Sequence, residues 1–352
     1  MTIRTSQLNT WYDNIRLRPA MYLGNTDTYG FKQLLEYLFS DILKQNSENP
    51  VFDITFLPDN KIVLRFSGIS TDKIPGSLAQ MQKEDSTMTE LGLPVIIALS
   101  TEITITINST DRSYTFHGMK GSFESHTNSI TTGEPVMIVE ATIDMSILKN
   151  FHFHYDHLTG FFRQFTFLNP GLKIIASDKT NNDFQRNVFL APRGIFDQLD
   201  YYASKNIHYS DFSGVEIEDS INDYSYQITI SAISCYPYQP FTKTYAGNTE
   251  LYYGGSLQDG ILDGVTQVIR QAAEKQNTKV LINRKKLKQQ LTIIAAVKGK
   301  DYSYAGSTKR KLDMPQLRKD VKTLVANKLL NYFSSSPEIT DKLLGRFLDL
   351  RT

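Results

Sequence analysis

The apolar positions in 31–44 are Phe31, Leu34, Leu35, Leu38, Phe39 and Ile42. They recur at three and four residues, which predicts a helix with one buried stripe. Gly30 and the polar stretch 46–50 bound it. The period then changes. Residues 52–56 alternate, Asp59-Asn60 carries turn chemistry, and 61–66 alternate back, which predicts a β-hairpin. Residues 102–107, 114–116 and 135–141 read as further strands, and 91–99 as a compact apolar helix. Residues 71–90 are polar and mixed and suit a loop or short helix. Upstream, a short helix is expected to stop before Pro19, followed by an extended piece to Gly24, because proline disfavours a helical residue ahead of it.

A second unit is expected after 185–210, giving domains 1–210 and 211–352. Residues 215–217 and 224–234 alternate like strands. Residues 257–274 carry apolar side chains at 257, 261, 262, 265, 268 and 269 and predict a helix. Short strands are expected at 279–282 and 291–297, around the basic run Arg284-Lys285-Lys286-Leu287-Lys288. Helices are expected over 317–333 and 338–350. Both periods are mixed along the chain, so the class is α/β (α+β).

With 352 residues, 40% hydrophobic and 21% charged, the chain can fill two cores. The net charge of +1 provides no global field for nucleic acid or membrane, so any basic surface must be local. Cys235 is the sole cysteine, which excludes an internal disulfide and a thiolate-only zinc site. No run reaches the roughly 18 apolar residues of a membrane span. The opening residues lead into no apolar stretch. A cytoplasmic protein without a leader is expected.

Residues 15–30 read IRLRPAMYLGNTDTYG. This run resembles the opening of the ATPase domain of gyrase B proteins and topoisomerase IV, whose usual form is I/V-R-K-R-P-G-M-Y-I-G-S-T-D-T-R-G. Further similarities follow in the same order. Ala98-Leu99-Ser100 resembles the end of V-N-A-L-S, and 167–172 matches F-L-N-P-G-L. Arg193-Gly194-Ile195 resembles G-G-I, and 253–260 resembles E-G-G-T-H-x-E-G. Residues 291–298 resemble L-x-A-V-I-S-V-K, and 306–312 resemble G-Q-T-K-x-K-L. The resemblance covers about 15–345. It implies a GHKL-type ATPase sandwich followed by a transducer domain with a ribosomal-protein-like βαβ fold. It also leaves the metal-binding TOPRIM domain outside this sequence, with the expectation that the chain alone is not a topoisomerase.

The same resemblance assigns the ATP site residue by residue. The catalytic glutamate falls on Tyr37, a phenol with an unperturbed pKa near about 10 and a poor general base at neutral pH. The neighbouring Glu36 is turned about 100° away around the helix. The magnesium-binding asparagine falls on Asp41, which could also hold magnesium through oxygen. Phe66 replaces the adenine-binding aspartate of D-x-G-x-G, while Gly68 is kept. The phosphate loop G-x-x-G-V-G becomes Glu90-Leu91-Gly92-Leu93-Pro94, which keeps only Gly92 and adds a repelling charge. Glu134 stands where the adenine-side threonine would be, and Ser307-Thr308-Lys309 partly keeps the γ-phosphate Gln-Thr-Lys.

Other constellations are less specific. His152, His154 and His157 would place two imidazoles on one strand face, the geometry of a zinc pair, but they coincide with F-x-Y-D-x-L of the same family. Cys235 reads as a small buried residue. Arg284, Lys285, Lys286 and Lys288 offer positive charge to DNA phosphates without base reading. The residues therefore carry two functions. One is a stand-alone, catalytically degenerate gyrase B-like module without bound cofactor, linked to DNA topology. It would bind protein partners (itself or a gyrase or topoisomerase subunit) or DNA, and no membrane. The other is an ATP- and magnesium-using clamp of the type II topoisomerase kind, working with a separate cleavage subunit.

Overall fold

The structure is a computed structural model. It describes residues 11–45, 47–81, 92–120, 122–128, 133–149, 151, 153–204, 207–209, 214–231, 234–236, 240–275, 277, 281–306 and 308–335, with 122–128, 207–209 and 234–236 as backbone only. Two compact units, Met1–Leu190 and Ala191–Thr352, divide the chain.

In the first unit the elements are α1 (Trp11–Leu17), α2 (Pro19–Leu23), α3 (Thr28–Leu43), β1 (Ser47–Leu57), β2 (Lys61–Ile69), α4 (Ile74–Met81), α5 (Gly92–Ala98), β3 (Ser100–Asn108), β4 (Ser113–Met119), β5 (Ser122–Asn128), β6 (Val136–Ile143), α6 (Tyr155–Leu168), β7 (Lys173–Asp178) and β8 (Gln185–Leu190). The piece after Pro19 is helical, not extended: the proline that ends α1 occupies the first turn of α2, where its missing N–H is no loss. The Pro58–Asn60 loop between β1 and β2 holds Asp59 and Asn60 at φ 57° and 58°, a left-handed pair closed by Lys61 N donating to the Pro58 carbonyl at 3.3 Å. The sheet runs β5-β4-β3-β6-β2-β1-β7-β8, and only β1–β7 is parallel.

Alternation puts Phe52, Ile54 and Phe56 of β1, Ile62, Leu64 and Phe66 of β2, and Met137, Val139 and Ala141 of β6 into one core with the stripes of α3 and α6. Phe39 of α3 is its aromatic hub, with Phe52, Phe66, Phe161, Phe162 and Phe165 around it. α6 was not expected from the sequence, although Leu158, Phe161, Phe162 and Phe165 recur at helical spacing.

The second unit holds α7 (Ile195–Ser204), β9 (Ile207–Tyr209), β10 (Val215–Ile221), β11 (Tyr224–Ser231), β12 (Ser234–Tyr236), β13 (Thr242–Ala246), β14 (Thr249–Glu250), α8 (Ser256–Lys275), α9 (Arg284–Gln290), β15 (Thr292–Lys298) and α10 (Pro315–Ser335). Its sheet runs β10-β11-β15-β13-β14. β13 and β15 pair in parallel and are joined through α8 and α9, a βαβ crossover. α7, which precedes residue 210, packs on β11 and β15 of this unit. The basic run forms α9, and the strand expected after it is β15. Among the described residues, 281–282 form no strand before it, and the expected strand's 279–280 lie outside them. Asn283 accepts the N–H groups of Lys285 and Lys286 and starts the helix. The helix expected over 338–350 lies outside the described residues.

Candidate functional site

Local chemistry fixes the start of α3. Asp27 caps it by accepting from Tyr29 N at 2.8 Å and Gly30 N at 3.4 Å, and Asn25 Nδ2 donates to Asp27 at 2.8 Å. A side-chain carbon on Gly30 would stand 2.0 Å from the Asn25 carbonyl oxygen, so only glycine fits. The Asn-Thr-Asp-Thr-Tyr-Gly run of the sequence is therefore a helix-starting device.

α3 then presents Tyr37 and Asp41, four residues apart, on a shared face. Tyr37 is half-buried; burial and the neighbouring Glu36 push its phenol above the ordinary value. The shift carries it further from general-base chemistry. Asp41 is occupied by the protein itself. Its Oδ2 accepts the backbone N–H of Gly92 at 2.9 Å, and its Oδ1 accepts from Lys44 Nζ at 2.7 Å. A carboxylate thus sits at the first N–H of α5, the end of a helix that attracts negative charge. Gly92 itself is buried, and a side-chain carbon there would stand 2.5 Å from Leu38 Cα. The glycine expected to approach a phosphate is needed to let α5 rest on the backbone of α3. Glu90 and Leu91 lie outside the described residues.

Phe66 is fully buried. Its ring contacts are Phe52 at 4.9 Å and Phe39 at 6.1 Å, and it does not stack on Tyr37. Gly68 adopts φ +68°, and a side-chain carbon on it would stand 2.7 Å from the carbonyl oxygens of both Glu48 and Asn49. The chain's own backbone fills that approach. Glu134 is exposed, two residues before Val136, which pairs with Ser67. Lys309 is exposed in the second unit with a left-handed backbone, φ 53°. Ser307 lies outside the described residues.

The structure adds an ion pair that sequence reasoning did not assign. Arg16 Nη2 donates to Asp144 Oδ2 at 2.6 Å and Nη1 donates to the Ala98 carbonyl, the last residue of α5, at 2.7 Å. Ser146 donates to the same carboxylate from N and Oγ. Arg16 was visible in the quoted motif; Asp144, 128 residues away, carries no local signal. Burial would raise the Asp144 carboxyl, but Ser146 and Arg16 together hold it below its ordinary value.

In α9, Arg284 donates to Asp263 and, at 2.8 Å, to Asp259, both on α8, and Arg318 of α10 binds Asp263 at 2.7 Å. Lys288 donates to Gln258 at 3.2 Å. Lys285 is exposed and Lys286 half-buried. His154 occupies the N-cap position of α6 without a side-chain capping bond and His157 lies in the first turn, so the pair is not on a strand; their rings are 5.3 Å apart. His152 and the Cys235 side chain lie outside the described residues. Among the described residues no three His, Cys, Asp or Glu side chains cluster as a metal site, and no helix is long and apolar enough to cross a membrane.

The family model described as DNA gyrase B matches residues 194–351. The chloroplastic/mitochondrial DNA gyrase B protein of Oryza sativa subsp. japonica is 22% identical over 374 residues, covering 96% of this chain and 51% of that protein. The DNA gyrase B protein of Streptococcus pyogenes serotype M1 is 24% identical over 365 residues, covering 94% and 55%. The 43K ATPase domain of Thermus thermophilus gyrase B, solved with an aminocoumarin, superposes with a TM-score of 0.80 at 18% identity, covering 97% of this chain and 96% of that one. Residues 194–351 thus belong to the DNA gyrase B family, and the chain over nearly its whole length is similar to gyrase B proteins. The topoisomerase IV ATP-binding domain of Francisella tularensis, with a small-molecule inhibitor, gives a TM-score of 0.77 at 16% identity, covering 97% of both chains. The fold is therefore that of the gyrase B ATPase and transducer pair. The chain spans about half the length of the curated gyrase B relatives it matches.

Proposed function

We propose that this chain is a gyrase B-like module whose nucleotide cleft does not hydrolyse ATP, and that it acts in the cytoplasm by binding partners. Those partners are a second copy or a topoisomerase subunit, and DNA. The observation that carries this reading is the Asp41 carboxylate, held by the Gly92 N–H and Lys44. The group that would coordinate magnesium is engaged within the protein, and the N–H that would face a phosphate already has an anionic acceptor. Phe66 supports the same reading, because a buried ring cannot accept the adenine amine. So does Tyr37, with a phenol pushed up at the general-base position. In this reading the residues present do not fit magnesium-ATP. The test is a thermal-shift and calorimetric titration with ATP and magnesium. No rise in stability is expected. A rise following RT ln(1 + [L]/Kd) would overturn the reading.

One observation favours the alternative, an ATP-using clamp that works with a separate cleavage subunit. Glu36 is half-buried, and burial pushes its carboxyl up against the opposing effect of Lys32, which suits a general base. It lies one residue from Tyr37 but toward Lys32, which itself stands over the Phe161 ring. ATP turnover abolished by Glu36→Gln would decide for this alternative.

A further inference from the structure

We propose that the second unit carries a surface for single-stranded nucleic acid, built on Tyr252 and Tyr253 with Lys309, Arg310 and Lys311. The two tyrosines precede α8 and are 66% and 68% exposed, among the most exposed large hydrophobic side chains of the described residues. The backbone holds the cations beside them. Tyr253 N donates to the Arg310 carbonyl at 3.0 Å and Leu312 N to the Gly254 carbonyl at 3.1 Å, so the two segments run side by side. On the other flank, Ala305 N donates to the Lys311 carbonyl at 2.9 Å. The Arg310 guanidinium stands 5.5 Å over the Tyr252 ring. Lys309, Arg310 and Lys311 are all exposed, and none makes an ion pair among the described residues.

The alternation of ring and cation continues. Lys243 stands 5.8 Å over the Tyr202 ring, which packs edge-on against Phe241 at 5.2 Å. Lys243 also meets Glu250 at 3.8 Å, Glu250 accepts a hydrogen bond from the Tyr252 hydroxyl, and Asp313 next to Leu312 is exposed. The chain as a whole is nearly neutral, at +1, so three consecutive exposed cations are a local concentration.

The rings decide which nucleic acid fits. A duplex hides its base faces and needs only positive charge on the protein. Unpaired bases expose their faces and stack on aromatic side chains, with cations tracking the backbone. Two adjacent exposed tyrosines with a guanidinium above one are the second arrangement. The basic helix α9 lacks the aromatic component, and its Arg284 is engaged by Asp259 and Asp263.

The test is fluorescence anisotropy of the full chain with a labelled oligothymidylate of about 16 nucleotides, beside a hairpin duplex of similar length. Single strand is expected to bind more tightly than duplex. Replacing both rings (Tyr252→Ala with Tyr253→Ala) should weaken single-strand binding about tenfold or more, since each stacked base contributes severalfold. The double Tyr→Phe variant should bind like wild type. Arg310→Ala should lower the salt slope by about 0.7. Absence of binding at low salt, preference for duplex, or indifference to the double Tyr→Ala change would overturn the proposal. None of these outcomes bears on the nucleotide cleft, which the ATP titration tests separately.

Discussion

Asp41 and Gly92, 51 residues apart in sequence, are joined by a 2.9 Å hydrogen bond from the Gly92 N–H to the Asp41 carboxylate. The bond ties the first turn of α5 to the face of α3 that the family resemblance assigns to catalysis. A capping acceptor of this kind contributes about 1 kcal/mol. Asp41→Ala is expected to destabilise by about 1–2 kcal/mol. Asp41→Asn keeps an acceptor and loses only the exposed Lys44 partner, so it should cost under about 1 kcal/mol. Urea melts of the two variants check the order; equal losses would show that the bond to Gly92 does not hold α5.

Phe66 lies between Phe39 and Phe52 with no exposed surface. Phe66→Asp, which restores the family's residue type, should destabilise by about 3 kcal/mol or more: it removes a core ring and buries an unpartnered carboxylate. The same variant should gain no ATP affinity, because Asp41 and Gly92 remain bound to each other. A denaturant melt run beside an ATP titration reads both outcomes.

Asp144 is buried and bonded to Arg16 and Ser146, which hold its carboxyl below the ordinary value. A carboxyl whose folded pKa is depressed contributes fully above its unfolded value, about pH 4, and loses that contribution as pH falls through the folded pKa. Asp144→Asn should therefore lower stability at pH 7 and flatten the acid limb of a stability profile taken from pH 7 downward. Arg16→Ala should cost about 2–3 kcal/mol at pH 7 by leaving that carboxylate without its cation.

Gly30 sits where any side chain would strike the Asn25 carbonyl, 2.0 Å away. Gly30→Ala should force the 25–30 turn off the start of α3 and cost about 2 kcal/mol or more. Amide exchange in the first turn of α3 should accelerate in this variant well beyond its effect on β10 and β11, which lie in the other unit.

The sequence by itself determined most helices and strands, because periods of two and three-to-four and turn residues such as Asp59-Asn60 act locally. Register along the resembling motif also carries the expectation that Tyr37 and Phe66 stand at the positions of a catalytic and an adenine-binding carboxylate. The sequence left α6 unread, although the phenylalanine spacing is there, and it read the piece after Pro19 as extended because a proline that ends one helix can start another. Only the tertiary structure decided what the surviving polar groups do. Asp41 is a magnesium-type residue by register and the cap of α5 by contact. Arg284 is part of a basic run by sequence and the clasp between α9 and α8 by contact. Tyr252 and Tyr253 are ordinary aromatics until folding leaves them exposed beside Arg310. In each case the deciding partner lies about twenty to sixty residues or more away, and hydrogen bonds and ion pairs act over a few ångströms of space. Nothing in the spacing along the chain records such a meeting.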